Sequence, residues 1–117
     1  MKSSSLTKKE RILKRSDFIT INLHGRRLRT QNFTIIAQPN GRDITRLGIA
    51  VSKRVGHSVK RNRLKRLIRE FFRLHKDMLP AGYDLVIIPL QTIKEPDFSG
   101  VCEELSKALV HNDQFCS

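Results

Sequence analysis

The residues able to do chemistry in this chain are overwhelmingly cations. Residues 46–76 hold eleven basic side chains against one acid, Glu70, and seven arginines fall within residues 46–73. Arginine presents a planar fork that matches two phosphate oxygens and can stack on a base, whereas lysine supplies a point charge. That mixture suits structured recognition of a phosphate polymer in addition to simple attraction. Groups for cutting such a polymer are scarce. A protein nuclease needs clustered carboxylates for metals, or a histidine pair with a cation for acid–base work. The basic segment offers only Glu70 and His57. Asp84 reads as the start of a strand and Asp97 as a helix cap. His24, His57, His75 and His111 have no spacing that makes a metal site with Cys102 and Cys116. The expectation is a binding protein with no catalytic residue, no metal ligand and no cofactor of its own.

The whole chain carries a formal charge of +12 over 117 residues. Self-repulsion of this size is tolerated where a polyanion binds. The charge is localised: residues 1–29 sum to +7, 30–45 to zero, 46–76 to +10 and 77–117 to −5. A membrane is the weaker candidate for the polyanion, since no apolar run approaches the roughly 20 residues that span a bilayer. The longest, residues 85–90, contains Pro89. Met1 to Ser5 lack the apolar segment of a signal peptide. Two cysteines suggest no disulfide framework, which points to a reduced, cytoplasmic setting. The length and a hydrophobic content of 38% fit one domain, 1–117, with residues 1–10 and 113–117 flexible.

The elements that must position the cations follow from periodicity. Ser16-Asp17 and Gly25 bracket a possible helix with Phe18 and Ile21 on one face. Ile19, Ile21 and Leu23 also alternate with Thr20 and Asn22, equally a strand pattern. Residues 28–38 read as a strand closed by a turn at 39–43. Residues 46–52 read as a second strand, and the two are expected to pair as a hairpin. A turn at 55–58, with Ser58 as N-cap, opens a long helix to about Lys76. Residues 83–88 form a further strand ended by Pro89. A last helix starts at Asp97 or Ser99 and carries Val101, Leu105, Ala108 and Leu109 as its apolar stripe. The order predicts an α+β sandwich, one sheet with helices packed against it.

On the long helix, at about 100° per residue, Leu64, Leu67, Ile68, Phe71 and Phe72 share one arc. Arg61, Lys65, Arg66, Arg69 and Arg73 gather opposite, with Asn62 among them. An ordinary solvated helix would interleave acids to gain i,i+4 pairs, and here like charges repel. The apolar arc is needed to cover the sheet, so Phe71 and Phe72 are read as core. A basic amphipathic helix can also lie on a membrane, but that would leave the sheet uncovered.

The run RLGIAVSKRVGHSVKRNRLKRLIRE over residues 46–70 closely resembles the signature of the protein subunit of bacterial ribonuclease P. Its centre is Arg61-Asn62-Arg63, preceded by Lys53-Arg54-Val55-Gly56 and followed by Lys65-Arg66 and Arg69-Glu70. Arg11-Ile12, Asp17-Phe18, His24-Gly25, Phe33 and the stretch at 84–88 extend the likeness to residues 9–110. The resemblance favours a helix at 16–24. It implies an α-β-β-β-α-β-α fold, ribosomal protein S5 domain 2-like, with a left-handed β-α-β crossover where generic rules expect a right-handed one.

The resemblance also implies a division of labour. The RNA subunit holds the magnesium ions and removes the 5′ leader of precursor tRNA, while the protein binds that RNA and the leader. Lys53, Arg54, Lys60, Arg61, Asn62, Arg63, Lys65, Arg66, Arg69 and Arg73 then become the RNA-binding set. Phe18, Phe33 and Ile36 fall at a leader cleft between the first helix and the sheet. Asn22 and Ile36 stand where some relatives carry aromatic rings, so stacking there is expected to be weaker. Pro89-Leu90 replaces a basic residue found in some relatives. A ribosomal protein would share the charge and the α+β character but not the ordered run at 53–63. A DNA-binding regulator would need a helix-turn-helix or a dimer interface, and neither is visible. No membrane or DNA partner is expected.

Overall fold

The computed structural model describes residues 10–12 and 14–110; the flexible ends expected at 1–10 and 113–117 lie, apart from Glu10, outside the described residues. Among the described residues seven elements follow in order: α1 (Arg15–His24), β1 (Arg26–Arg29), β2 (Phe33–Pro39), β3 (Arg46–Ile49), α2 (Ser58–His75), β4 (Tyr83–Pro89) and α3 (Phe98–Leu109). This is the α-β-β-β-α-β-α order the resemblance implied. Short 3-10 turns occupy Lys53–Val55 and Lys76–Met78.

Alternation along the strands sorts their side chains onto two faces. Phe33, Ile35, Ala37, Leu47, Leu85 and Ile87 point to one face and pack under α2 and α3, together with Leu64, Ile68, Phe71, Phe72, Val101, Leu105, Ala108 and Leu109. Ile36 and Val86 point to the other face, where Ile12 and Ile21 cover them and Phe18 and Ile88 flank. α1 therefore lies on the side of the sheet opposite the two longer helices. The ambiguous residues 16–24 form a helix, with Ile21 buried and Ile19 and Leu23 50% and 71% exposed. Their strand-like alternation has no partner strand behind it. Gly25 ends α1 and turns the chain into β1: its N–H donates to the Ile21 carbonyl at 2.7 Å. A Cβ there would lie 2.5 Å from Ile36 Cγ2 and 2.6 Å from the Ile21 oxygen, so only glycine fits.

The sheet order is β1-β2-β4-β3. This corrects the expected hairpin between residues 28–38 and 46–52. The first stretch is two strands, β1 and β2, paired antiparallel as their own hairpin. Glu104 of α3 pins the intervening turn, accepting from Thr30 Oγ1 at 2.5 Å, Asn32 N at 2.6 Å and Asn32 Nδ2 at 2.9 Å. β4 then inserts between β2 and β3, antiparallel to the first and parallel to the second. The turn after β2 thus crosses two strand spacings, about 10 Å, rather than doubling back. Alternation reveals which face a residue occupies and says nothing of which strand is its neighbour. β3 is also shorter than expected: it ends at Ile49, with Ala50 N still donating to the Ile87 carbonyl of β4 at 3.2 Å. Ser58 is the first helical residue of α2, and His57 stands at the N-cap without a side-chain cap bond. Asp97 caps α3 as expected, accepting from Gly100 N at 2.7 Å.

One polar cluster fixes this strand order. Arg46 of β3 donates from Nε and Nη2 to the two carboxylate oxygens of Asp84 on β4, at 2.8 and 2.7 Å, and approaches Asp17 of α1 at 3.6 Å. Asn40, in the crossing turn, donates to the same Asp84 at 2.9 Å and to the Ile44 carbonyl at 3.1 Å. Burial pushes the Asp84 carboxyl up, but hydrogen bonds from Arg46 and Asn40, with the charges of Arg46 and Arg42, hold it below its ordinary value. An acid so depressed stabilises the fold above its unfolded pKa and loses that contribution as pH falls through the lower folded one. Asp84→Asn is expected to lower unfolding free energy by about 2 kcal/mol near neutral pH, because it leaves the Arg46 charge poorly matched. Denaturant unfolding across pH checks this: the gap between wild type and variant should shrink below about pH 4. A gap independent of pH would mean that the carboxylate charge is not what matters.

Candidate nucleic-acid interface

α2 is held down by four buried side chains, Leu64, Ile68, Phe71 and Phe72, all at most 1% exposed. Burying them contributes at least about 6 kcal/mol. The like-charge i,i+4 neighbours Arg61/Lys65, Lys65/Arg69 and Arg69/Arg73 together cost roughly 1 kcal/mol. Packing wins easily, so the helix can carry a cationic face without acids between.

The structure divides the predicted RNA-binding residues into four groups, with Arg63 in two of them. Lys53 and Arg54 on the 3-10 turn, and Asn62, Arg63, Arg66 and Arg69 on α2, are exposed. Lys60 and Arg63 flank the β4–α3 loop: Lys60 Nζ donates to the Ile93 carbonyl at 2.7 Å and Arg63 Nε to the Pro96 carbonyl at 3.0 Å. Lys60 is therefore anchored, while Arg63 keeps its terminal nitrogens. Arg61 and Lys65 are half-buried, and Arg61 Nε is buried with no partner among the described residues. Arg73 is committed to Glu70, donating at 3.1 and 2.5 Å. The Arg73 hydrogen bond keeps the Glu70 carboxyl below its usual range. The first turn of α2 contains no acid, so its backbone N–H groups and the neighbouring cations add to one positive field.

That field runs into a pocket of about 110 Å³ lined by Arg11, Ile12, Phe18, Leu47, Gly48, Ile49, Lys65 and Arg69. Four parts of the chain build it, β3 supplying Leu47, Gly48 and Ile49. The N-terminal segment runs along the free edge of β3, with Ile12 N donating to the Leu47 carbonyl at 2.9 Å and Arg11 bridged to Leu47. α1 supplies Phe18, and α2 supplies Lys65 and Arg69. Gly48 leaves room for the ring: a Cβ there would lie 2.8 Å from Phe18 Cε1 and Cζ. The pocket thus offers an aromatic ring and guanidinium and ammonium groups together. It joins the α2 face to the α1 side of the sheet, which sequence spacing left as two separate features.

The three residues assigned to the leader cleft fare differently. Phe18 is half-buried and lines the pocket. Ile36 faces the α1 side but is 1% exposed beneath Ile21. Phe33 is fully buried on the opposite face, under α2 and α3, and so does not line the cleft. The alternation that puts Ile36 on one face necessarily puts Phe33 on the other. Arg11 and Gly48 were not singled out as site residues, and nothing in their spacing marks them, because a β-edge contact between residues 11 and 47 brings them together. Among the described residues no three of His, Cys, Asp and Glu gather as metal ligands, and no helix is long and apolar enough to cross a membrane.

Comparison with known proteins places this geometry. The family model for ribonuclease P matches residues 6–112. The chain belongs to the ribonuclease P protein family. It is 46% identical over 114 residues to the ribonuclease P protein component of Syntrophus aciditrophicus, covering 97% of this chain and 96% of that one. It is 40% identical to the component from Thermotoga petrophila, covering 92% and 95%. Among solved structures, the ribonuclease P protein of Thermotoga maritima superposes with a TM-score of 0.81 at 37% identity, covering 88% of this chain and 97% of that one. The Staphylococcus aureus protein gives 0.80 at 34%, covering 88% and 98%. The chain is thus the protein component of ribonuclease P, the endoribonuclease that processes tRNA 5′ leaders, and its partner is RNA.

These groups of cations should differ in titration with RNA. Arg66→Ala is expected to weaken binding and make the log–log salt slope shallower by about 0.7–0.9, the increment that one neutralised phosphate contributes. Arg73→Ala should change the slope less, since Glu70 already neutralises that guanidinium. Equal slopes for both variants would overturn the division of the face.

Proposed function

We propose that the exposed face of α2, with Lys53 and Arg54, binds the RNA subunit of ribonuclease P, and that the pocket at Phe18 takes the single-stranded 5′ leader of precursor tRNA. The observation that carries this reading is the convergence of Phe18 with Arg11, Lys65 and Arg69 in one pocket. An aromatic face can stack on any base, at about 1–3 kcal/mol per base, and the surrounding cations meet the phosphates on either side. Such a site is tolerant of sequence, as a subunit serving many leaders requires. Anchoring the leader beside the RNA subunit's own binding face raises substrate affinity without placing a protein group at the scissile bond.

Two of the described carboxylates are already engaged. Asp84 is committed to Arg46 and Asn40, and Glu70 to Arg73. In this reading magnesium is held by the RNA subunit, which would supply the hydrolytic chemistry in the assembled particle. The protein's contribution is binding and orientation, in the cytoplasm where tRNA is made.

Two measurements test the reading. Purified protein alone should leave precursor tRNA intact in low magnesium, and adding a ribonuclease P RNA should restore cleavage at the 5′ end. Metal-dependent cutting by nuclease-free protein alone would sink it. Phe18→Ala should weaken holoenzyme binding of precursor tRNA by roughly fivefold to a hundredfold, equivalent to about 1–3 kcal/mol, and leave binding of mature, leaderless tRNA unchanged. A parallel loss for both substrates, with a lowered melting temperature, would make Phe18 part of the core alone.

A further inference from the structure

A second set of arginines lies at the other edge of the sheet from α2. β1 is the edge strand Arg26-Arg27-Leu28-Arg29, and no acidic residue occurs between Asp17 and Asp43. Leu28 packs into the main core under α2 and α3. By alternation Arg27 and Arg29 therefore face the α1 side, the same side as the Phe18 pocket. The register carries this across the sheet. Arg27 lies opposite Ile36, which pairs with Val86, which pairs with Gly48 on the pocket wall. Arg29 lies opposite Thr34, which pairs with Ile88.

These two rows are covered unequally. α1 sits over Ile36 and Val86, whereas Thr34 and Ile88 remain half-exposed. Arg27 is held at the end of α1, its Nη2 donating to the Asn22 carbonyl at 3.2 Å and to the Asn22 side-chain oxygen. Arg29 is exposed, and no described residue forms an ion pair or hydrogen bond with its side chain. The carboxylate that holds the β1–β2 turn, Glu104, is occupied by Thr30 and Asn32.

We propose that the leader does not end at Phe18 but continues over the Thr34–Ile88 row, and that Arg29, with Arg27 beside it, binds a leader phosphate at the far edge of the sheet. This rests on the leader reading above and extends it. β3 and β1 are three strand spacings apart, about 14 Å, so the far contact is made by a nucleotide further from the cleavage site than the one at Phe18. The sheet between offers a hydroxyl and an apolar side chain, suited to riding over sugars and bases without reading sequence. A cationic edge strand can also serve simply to discourage edge-to-edge pairing of sheets, and substrate dependence separates the two roles.

The experiment uses holoenzyme assembled with ribonuclease P RNA and a series of precursor tRNAs whose leaders lengthen stepwise. Arg29→Ala should leave mature tRNA and the shortest leaders bound as in wild type. Once the leader is long enough to cross the sheet, it should weaken binding severalfold and make the salt slope shallower by about 0.7, the value for one single-strand phosphate. Arg29→Lys should recover most of the affinity and the slope. The melting temperature of the free protein should not move, since the side chain is exposed. An equal loss on leaderless tRNA would overturn the proposal and place Arg29 against the RNA subunit or the tRNA body. No loss at any leader length would overturn it in favour of edge protection. Phe18→Ala, run in parallel, should affect leaders of every length that reach the pocket. Should Phe18→Ala fail to distinguish leader-bearing from leaderless tRNA, the leader reading itself falls rather than its extension alone.

Discussion

Holding a dense row of cations on one rigid face is the constraint around which the molecule is organised. A helix with Arg61, Lys65, Arg66, Arg69 and Arg73 on one side has no internal electrostatic reason to form. It forms because Leu64, Ile68, Phe71 and Phe72 seal one face of the sheet. The sheet in turn must present a continuous apolar surface to that helix and to α3, which is why Phe33, Ile35, Leu85 and Ile87 are completely buried. Charge display and core packing are thus two sides of one helix.

The opposite face of the sheet is handled more sparingly. Among the described residues, only α1 and the segment around Ile12 cover it, through a small cluster of Ile12, Ile21, Ile36 and Val86. A short helix cannot cover a four-stranded sheet, and the uncovered remainder is where a ligand has access. The same incompleteness explains the exposed Ile19 and Leu23 on α1. Arg46 and Asp84 lock this thinner side, tying β3, β4 and the N-terminal end of α1 together through Asp17. A basic residue counted with the RNA-facing segment by position is in fact a structural tie.

How far the fold was legible varied by element. The long helix and α3 were clear, because a stripe at helical spacing has one interpretation once the helix is long. The segment at 16–24 was open, since three apolar residues at alternate positions over so short a run fit either period. The strands after the first were located to within a few residues, but β1 and β2 were read as one strand, and the hairpin assigned between residues 28–38 and 46–52 was wrong. Their true separation by β4 depends on a parallel pairing between distant residues such as Arg46 and Asp84, stabilised by the bonds those two make with each other and with Asn40. Phe33 was misplaced for a related reason: a motif match locates a residue along the chain without saying which face it occupies.

The sequence by itself determined that this chain concentrates positive charge suited to a polyanion, that one helix gathers a fixed order of arginines around Asn62, and that the basic segment lacks the paired groups a protein nuclease uses. Those conclusions depend on composition and short-range spacing, which the backbone's 3.6-residue period converts directly into a surface. Only the tertiary structure decided which of those cations stay available. Lys60 bonds to the loop at Ile93, Arg73 to Glu70 and Arg46 to Asp84. It alone brought Arg11, Phe18 and Gly48 beside Lys65 and Arg69. Such convergence is set by strand order and register, long-range quantities that no local pattern of residues encodes.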